Sequence, residues 1–417
     1  MWSGAVTAQS ATVVAKIAGG SAPVQLQIQP TGGGLGARIE PASLDRATGV
    51  VRFEIAPLRP ATTYRYVVLQ GGVPWGTVGR FRTTAEGPHN AVILFASCAS
   101  TGSNASIWDT MRAIQPDVFI HMGDMHYGDI TRNDPARFRA AFDRCLMSPR
   151  QSAFYRDVPI AYVWDDHDYG GDETDRHSPS APAAHRVFRE YVPHHPLTGG
   201  PTGTLQQAFD VGRVRVILTD SRSGRETPTA GGTAPVTMLG QAQREWLLAE
   251  LEAASRRAAL VVWANPVPWI TKNDEGTREG WAPYHAERAM IADHILRLGL
   301  TSRFLMVSGD AHMVAIDDGT NSQYAPGAAG VPGFVVVHAA SLDRIRRHKG
   351  GPYSHGSRAR RGQFGELRIE DTGERLVATV TCRDRRGRQV RGLSLRLTVA
   401  GDAPTVSAES VRAAGVA

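Results

Sequence analysis

Up to about Thr84 the chain alternates apolar and polar residues in short segments divided by Gly and Pro: Ser10 to Ile17, Val24 to Gln29, Gly49 to Ile55, Thr63 to Leu69 and Gly76 to Arg82. A period of two over such lengths predicts strands with one buried face, and their spacing predicts a small immunoglobulin- or fibronectin-like β-sandwich over residues 1–86. Its expected role is to pack against or shade the next domain. After the polar stretch Ala85 to His89 the pattern changes. Continuous apolar runs at Ala91 to Ala96, Asp117 to Ile120, Pro159 to Val163, Val214 to Leu218, Ala259 to Ala264 and Arg303 to Val307 read as buried strands. Between them, Ala105 to Ile114, Ala136 to Leu146, Ala183 to Tyr191, Gln241 to Ala254 and Ala286 to Leu298 carry helical spacing. Strand and helix in alternation predict an α/β domain over 90–400. Alternation returns from Phe364 to Val399, as for strands that finish a sheet, and residues 401–417 read as a loose tail.

Composition narrows the class. A chain of 417 residues suits two or three domains, and 42% hydrophobic with 21% charged residues is the balance of a soluble globular protein. No apolar run approaches the roughly 18 residues of a membrane helix. Met1 to Lys16 shows no basic n-region, apolar h-region or twin arginine, so the compartment stays open: cytoplasmic as written, secreted or periplasmic if a leader precedes it. Cys98, Cys145 and Cys382 have no paired spacing and predict no disulfide framework. The net charge of +6 comes almost wholly from arginine, with lysine only at 16, 272 and 349, and suits an anionic ligand. The basic run Arg344 to Arg361 lacks interleaved aromatics, so it is read as a solvated loop near an anionic-substrate cleft and not as a nucleic-acid site.

The chemistry gathers at strand ends. Ser97-Cys98, Gly123-Asp124, Asp165-Asp166-His167-Asp168 and Gly309-Asp310-Ala311-His312 each follow an apolar run, and ligands of open α/β sheets collect beyond the carboxyl ends of strands. Any one could be a cap or turn. Converging carboxylates, however, would raise one another's pKa unless cations neutralise them. A pair of metals about 3.5–4 Å apart would generate a hydroxide near neutral pH and clamp a phosphoryl group.

The strings FASC, HMGDMHY, WDDHDYGGDE, LTDSR, MLGQAQREWL and VSGDAH, in this order after a β-rich module, resemble the PhoD-like alkaline phosphatases of the metallophosphoesterase superfamily. The resemblance spans nearly the whole chain. It implies a four-layer α/β/β/α sandwich behind the N-terminal module, an iron(III) and calcium centre (or other divalent metals), and hydrolysis of small anionic phosphate mono- or diesters. Residue by residue, it implies Cys98, Asp124 and Tyr127 as iron ligands, with Asp124 bridging, and Asp165, Asp166, Asp310 and His312 as further metal ligands. A thiolate and a phenolate together need a highly charged cation to stay deprotonated, whereas calcium prefers hard oxygens. His167 takes the place of the proton donor to the leaving oxygen, with a structural histidine on Asp165 or Asp168 as the alternative. Arg222 takes the place of an arginine that grips phosphate with its fork; Asp220 would hold it. Where many relatives carry Asn, this chain has Asp172, expected either as an added metal ligand that favours diesters over monoesters or as a cap. Asn265 ranks little above a turn residue, and His126 is expected to be solvated. The rival readings are a phospholipase D-like phosphodiesterase on the same fold and a catalytically inactive binding module.

Overall fold

A computed structural model describes residues 1–228, 235–271, 280–344 and 348–400, and the backbone of 406–410. Two large sheets face each other. One has eleven strands and contains Ala91–Ala96, Val118–Met122 and Ile160–Val163 as parallel neighbours; the other has seven, with Val214–Leu218, Leu260–Asn265, Phe304–Ser308 and Val335–Ala339 parallel. These strands are uninterrupted apolar runs because both of their faces are covered. Ile93, Phe95, Ile120, Met122 and Val163 from the first sheet meet Val216, Leu218, Val262, Leu305 and Val307 from the second in the central core. On its outer face the first sheet carries Trp108, Phe138, Phe142, Phe154 and Phe188 from the helices Ile107–Ala113, Pro135–Met147, Pro149–Asp157 and Ala181–Tyr191. The second sheet is covered by Leu247 and Leu251 of Gln241–Arg257 and by Ile291 and Ile295 of His285–Arg297. The result is the expected four-layer α/β/β/α order.

The helices begin where local chemistry favours them. Asp134 accepts a hydrogen bond from the backbone N–H of Arg137, and Pro135 fills the first helical position, where its missing N–H costs nothing. The short helix Asp166–Tyr169 and the helix Pro149–Asp157 are additional to those that the spacing predicts; the first is too brief for a period, and the second lies directly after a neighbour.

The N-terminal region is the expected β-sandwich, with Val13, Val51 and Phe53 of one layer packed on Leu26, Tyr66 and Val68 of the other, but one of its layers is shared with the large sheet. Val24–Pro30, Ala37–Ile39, Thr63–Gln70 and Val73–Arg82 form a separate four-stranded sheet. Its partner layer, Trp2–Gly4, Ala11–Lys16, Val50–Ile55 and Ser43–Asp45, is instead the continuation of the eleven-stranded sheet, joined where Gly4 pairs parallel with Ile160. Gly4 is needed at this seam, because a Cβ there would overlap the carbonyls of Ile160 and Pro193. Trp2 locks the junction, buried and donating from its indole N–H to Tyr191 O at 2.8 Å. At the other edge, Gln363–Asp371, Arg375–Asp384 and Gln389–Ala400 complete the sheet. Residues 406–410, expected as loose tail, pair antiparallel with the last of these; the rest of that tail lies outside the described residues. Among the described residues no helix is long and apolar enough to cross a membrane.

Candidate metal centre

The carboxyl ends of strands from both sheets converge on one place. Backbone bonds from Cys98 N to Gly123 O (3.3 Å) and from Ala99 N to Asp124 O (2.9 Å) tie the first two loops together. Asp310 N donates to Ser97 Oγ at 3.2 Å, which brings in the second sheet. Cys98, Asp124, Asp310 and His312 all have left-handed backbone, with φ of 64°, 54°, 64° and 46°. Such a conformation costs about 1–3 kcal/mol per non-glycine residue and concentrates where function fixes geometry. Gly123, at φ 87°, is required, because its missing Cβ leaves room for Asp165.

Two groups of ligand atoms share one carboxylate. Cys98, Asp124 and His312 offer atoms within 4.8 Å of one another, and so do Asp124, Asp166 and His167. Tyr127 belongs with the first: its hydroxyl donates to Asp124 Oδ2 at 2.6 Å and lies 3.1 Å from His312 Nε2. Asp310 stands beside them with Lys349 Nζ at 2.7 Å from its Oδ1.

These residues fit a cation. Asp124 Oδ1, Asp165 Oδ2 and Asp310 Oδ2 are buried oxygens without a hydrogen-bond partner, an arrangement that costs desolvation unless something positive meets them. Burial and the neighbouring Asp166 push the Asp124 carboxyl up to about 8. Burial together with the charges of Asp124 and Asp310 pushes the Cys98 thiol well up, and burial and Asp124 do the same to the Tyr127 phenol. Without cations the thiol, the phenol and the Asp124 carboxyl are therefore disposed to hold their protons; together with an imidazole they make a set that a highly charged cation would deprotonate. For Asp166, burial is outweighed by Arg222, His167, the Glu173 N–H and Lys349, which hold it down at about 2.

His167 is half-buried with its ring centroid 4.3 Å from that of Tyr127. Its Nδ1 bonds Asp129 Oδ1 at 2.6 Å, so the orienting carboxylate is Asp129 and neither Asp165 nor Asp168. Burial lowers its basicity, but Asp124, Asp166 and Asp129 outweigh this and bring it to about 9 while no cation shares the site. Asp168 is structural, accepting from the Tyr162 hydroxyl and from the N–H groups of Met125 and Asp165.

Several sequence-based expectations change. Arg222 does not face an open phosphate site: it is fully buried, its Nε donates to Asp165 Oδ1 at 2.6 Å, and its Nη2 lies 3.6 Å from Asp166. The same ion pair takes one oxygen of Asp165 and leaves its Oδ2 without a partner; Asp165, like Asp310, stands outside the two ligand-atom groups but offers a buried oxygen toward them. Asp172 is not drawn in either. The chain folds back after Gly171 so that the Glu173 N–H donates to Asp166 Oδ2 at 2.8 Å, while the Asp172 side chain is 75% exposed and reaches only to 3.8 Å from His167 Nε2. Asp220 does not pair with the Arg222 guanidinium; it accepts from the Trp164 indole and from the N–H groups of Leu205, Arg222 and Ser223. His126 is buried in contact with Phe138 and Phe142 and is not solvated. Asn265 is more than a turn residue: it is buried at a strand end, its Nδ2 bonds Val267 O, and its Oδ1 has no partner. Asp129 is the residue at the site that sequence reading passes over, since it does not sit at a strand end and no periodicity marks it; Arg344 was read only as the start of a basic loop near an anionic-substrate cleft, with no role of its own.

Residues 93–344 match the model of a family described as PhoD-like phosphatase. A solved structure described as that of PhoD is similar over 98% of this chain and 91% of its own, with a TM-score of 0.71 at 15% identity. The purple acid phosphatase PPD1 from yellow lupin (Lupinus luteus) seeds is similar over 95% of this chain and 73% of its own, with a TM-score of 0.68 at 12% identity. At these identities the likeness is one of fold. A search of curated protein sequences gives no match.

Proposed function

The chain belongs to the PhoD-like phosphatase family, and from that premise we propose that it hydrolyses phosphate mono- and diesters at a two-cation centre bridged by Asp124. The observation that carries this reading is the trio of partnerless buried oxygens on Asp124, Asp165 and Asp310 beside two ligand groups that share Asp124. Cys98, Asp124, Tyr127 and His312 would hold iron(III), for which thiolate and phenolate are suited. Asp124, Asp165, Asp166 and Asp310 would hold calcium or another hard divalent cation through oxygen. When bound, the cations supply Lewis acidity toward the phosphoryl oxygens and ease the deprotonation of water.

The protein's own side chains do the rest. Asp129 fixes the tautomer of His167 by accepting a hydrogen bond from Nδ1–H, which leaves Nε2 to carry the mobile proton. As the ester P–O bond breaks and water's oxygen adds to phosphorus, that Nε2 proton passes to the departing alkoxide, and solvent restores it. Arg222 balances the charge of Asp165 and Asp166 in the low-dielectric interior and keeps the carboxylate loop in place. In a second reading His167 is itself a ligand, which is favoured by its nitrogen lying within 4.8 Å of the ligand atoms of Asp124 and Asp166. The overall proposal is tested by supplying iron and calcium to the purified protein and assaying an aryl phosphate monoester, an aryl diester and a phospholipid. We expect hydrolysis of the small esters. Turnover of phospholipid alone would favour the phospholipase D-like alternative, and a metal-replete protein inert toward all three would be a binding module.

A further inference from the structure

Arg222 is buried, with its Nε committed to Asp165 and its Nη2 nearest to Asp166, and another arginine stands at the centre with no carboxylate in ion-pair reach among the described residues. Arg344 stacks its guanidinium 3.6 Å from the centroid of the Tyr127 ring, the same tyrosine whose hydroxyl touches Asp124 and His312. Its backbone is fastened to the loop that carries Cys98: Leu342 N donates to Ser97 O, Asp343 N to Cys98 O and Ser100 N to Asp343 Oδ1 at 2.5 Å. Ser341 Oγ donates to the carbonyl of Arg344 itself at 2.9 Å. The residue is therefore positioned with the centre.

What it lacks is an anion. Among the described residues no carboxylate lies within ion-pair distance of the Arg344 guanidinium, and its Nε is buried without a hydrogen-bond partner. The adjacent Asp343 is already engaged by the Ser100 N–H. A guanidinium stacked on an aromatic face leaves its donors pointing outward in its own plane, the fork geometry that fits two oxygens of a phosphate. Lys349 comes five positions later in the basic stretch, but its ammonium lies on Asp310. We propose that Arg344 is the substrate-binding residue that grips the non-bridging oxygens of the phosphoryl group, on a platform supplied by Tyr127. This rests on the phosphate-ester reading above.

Titration calorimetry with inorganic phosphate, on metal-replete protein and alongside elemental analysis, tests the proposal without relying on turnover. Losing a charged, two-pronged contact should weaken phosphate binding by about 10- to 100-fold in Arg344→Ala, with metal content unchanged. Arg344→Lys, which keeps the charge and loses the fork, should fall between the two and guards against a folding defect in the alanine variant. Equal phosphate affinity in all three proteins would overturn the assignment, and so would a loss of metal that accounts for any weakening in Arg344→Ala while Arg344→Lys binds as the parent does. A parent protein that binds no phosphate would overturn it as well. A parent that binds phosphate through Arg344 yet hydrolyses no ester would sink the hydrolase reading and leave this one standing.

Discussion

At the scale of single residues the site is a contest between burial and charge. Asp124 would be half-protonated near pH 8 in the cation-free protein because burial and Asp166 oppose its ionisation, whereas Asp166, a few ångströms from Arg222, stays ionised. Their different environments give neighbouring carboxylates different work. His167 is separable from both if it donates a proton and does not ligate. His167→Ala is then expected to retain its metals and lose on the order of 10²–10⁴ in kcat, and Asp129→Asn to lose about tenfold in kcat with KM little changed, because the ring is no longer held in one orientation. Elemental analysis with steady-state kinetics checks this; loss of metal in His167→Ala would establish the ligand reading instead. That Cys98, Asp124 and His312 are candidates was legible in the sequence, because each follows an apolar run and is of a type able to ligate metal, and the structure brings the three together. Asp129 was not, since it reaches its partner across a loop; of Arg344 only the basic loop near a cleft was legible, because backbone bonds from its neighbours to Ser97 and Cys98 bring it to the site. Asp172 misled for a local reason: at that turn the Glu173 amide, and not the carboxylate, faces inward.

At the scale of elements, the alternation of apolar runs and helical periods located the strands that carry the site to within a residue or two, as at Ala91–Ala96 and Val214–Leu218. Periodicity is weakest for short strands. The strands Trp2–Gly4 and Val314–Asp317 have three and four residues and went unseen. The former matters most for assembly, because it is the seam between the N-terminal layer and the strands that carry the candidate site. Trp2 fills that seam against Tyr155, at a ring-centroid separation of 5.5 Å, and bonds Tyr191 O. Trp2→Ala should destabilise the protein by about 3–5 kcal/mol through lost burial and an unfilled cavity, seen as a lower denaturant midpoint, while kcat of the folded fraction stays near that of the parent. An unchanged midpoint would mean that the seam contributes little to the fold.

At the scale of the molecule, the change of pattern near residue 86 and the sandwich before it were legible, but the sheet that continues across it was not. A pairing between the fourth residue and the strand after Val158 cannot be read from local periodicity, and through it one sheet runs from the N-terminal layer across the central parallel strands to residue 410. The site lies where that sheet and the second meet at their carboxyl edges, so its ligands come from loops of both and assemble only in the folded chain. Such a site should bind its cations as a unit joined at Asp124. Metal content per chain, measured by elemental analysis on the parent and on Asp124→Asn after dialysis, tests this most directly. The expected result is two metals per chain in the parent, iron among them, and loss of both in the variant, because each group depends on the shared carboxylate. A parent that carries no metal after supply of iron and calcium, or an Asp124→Asn variant that keeps both, would contradict the account.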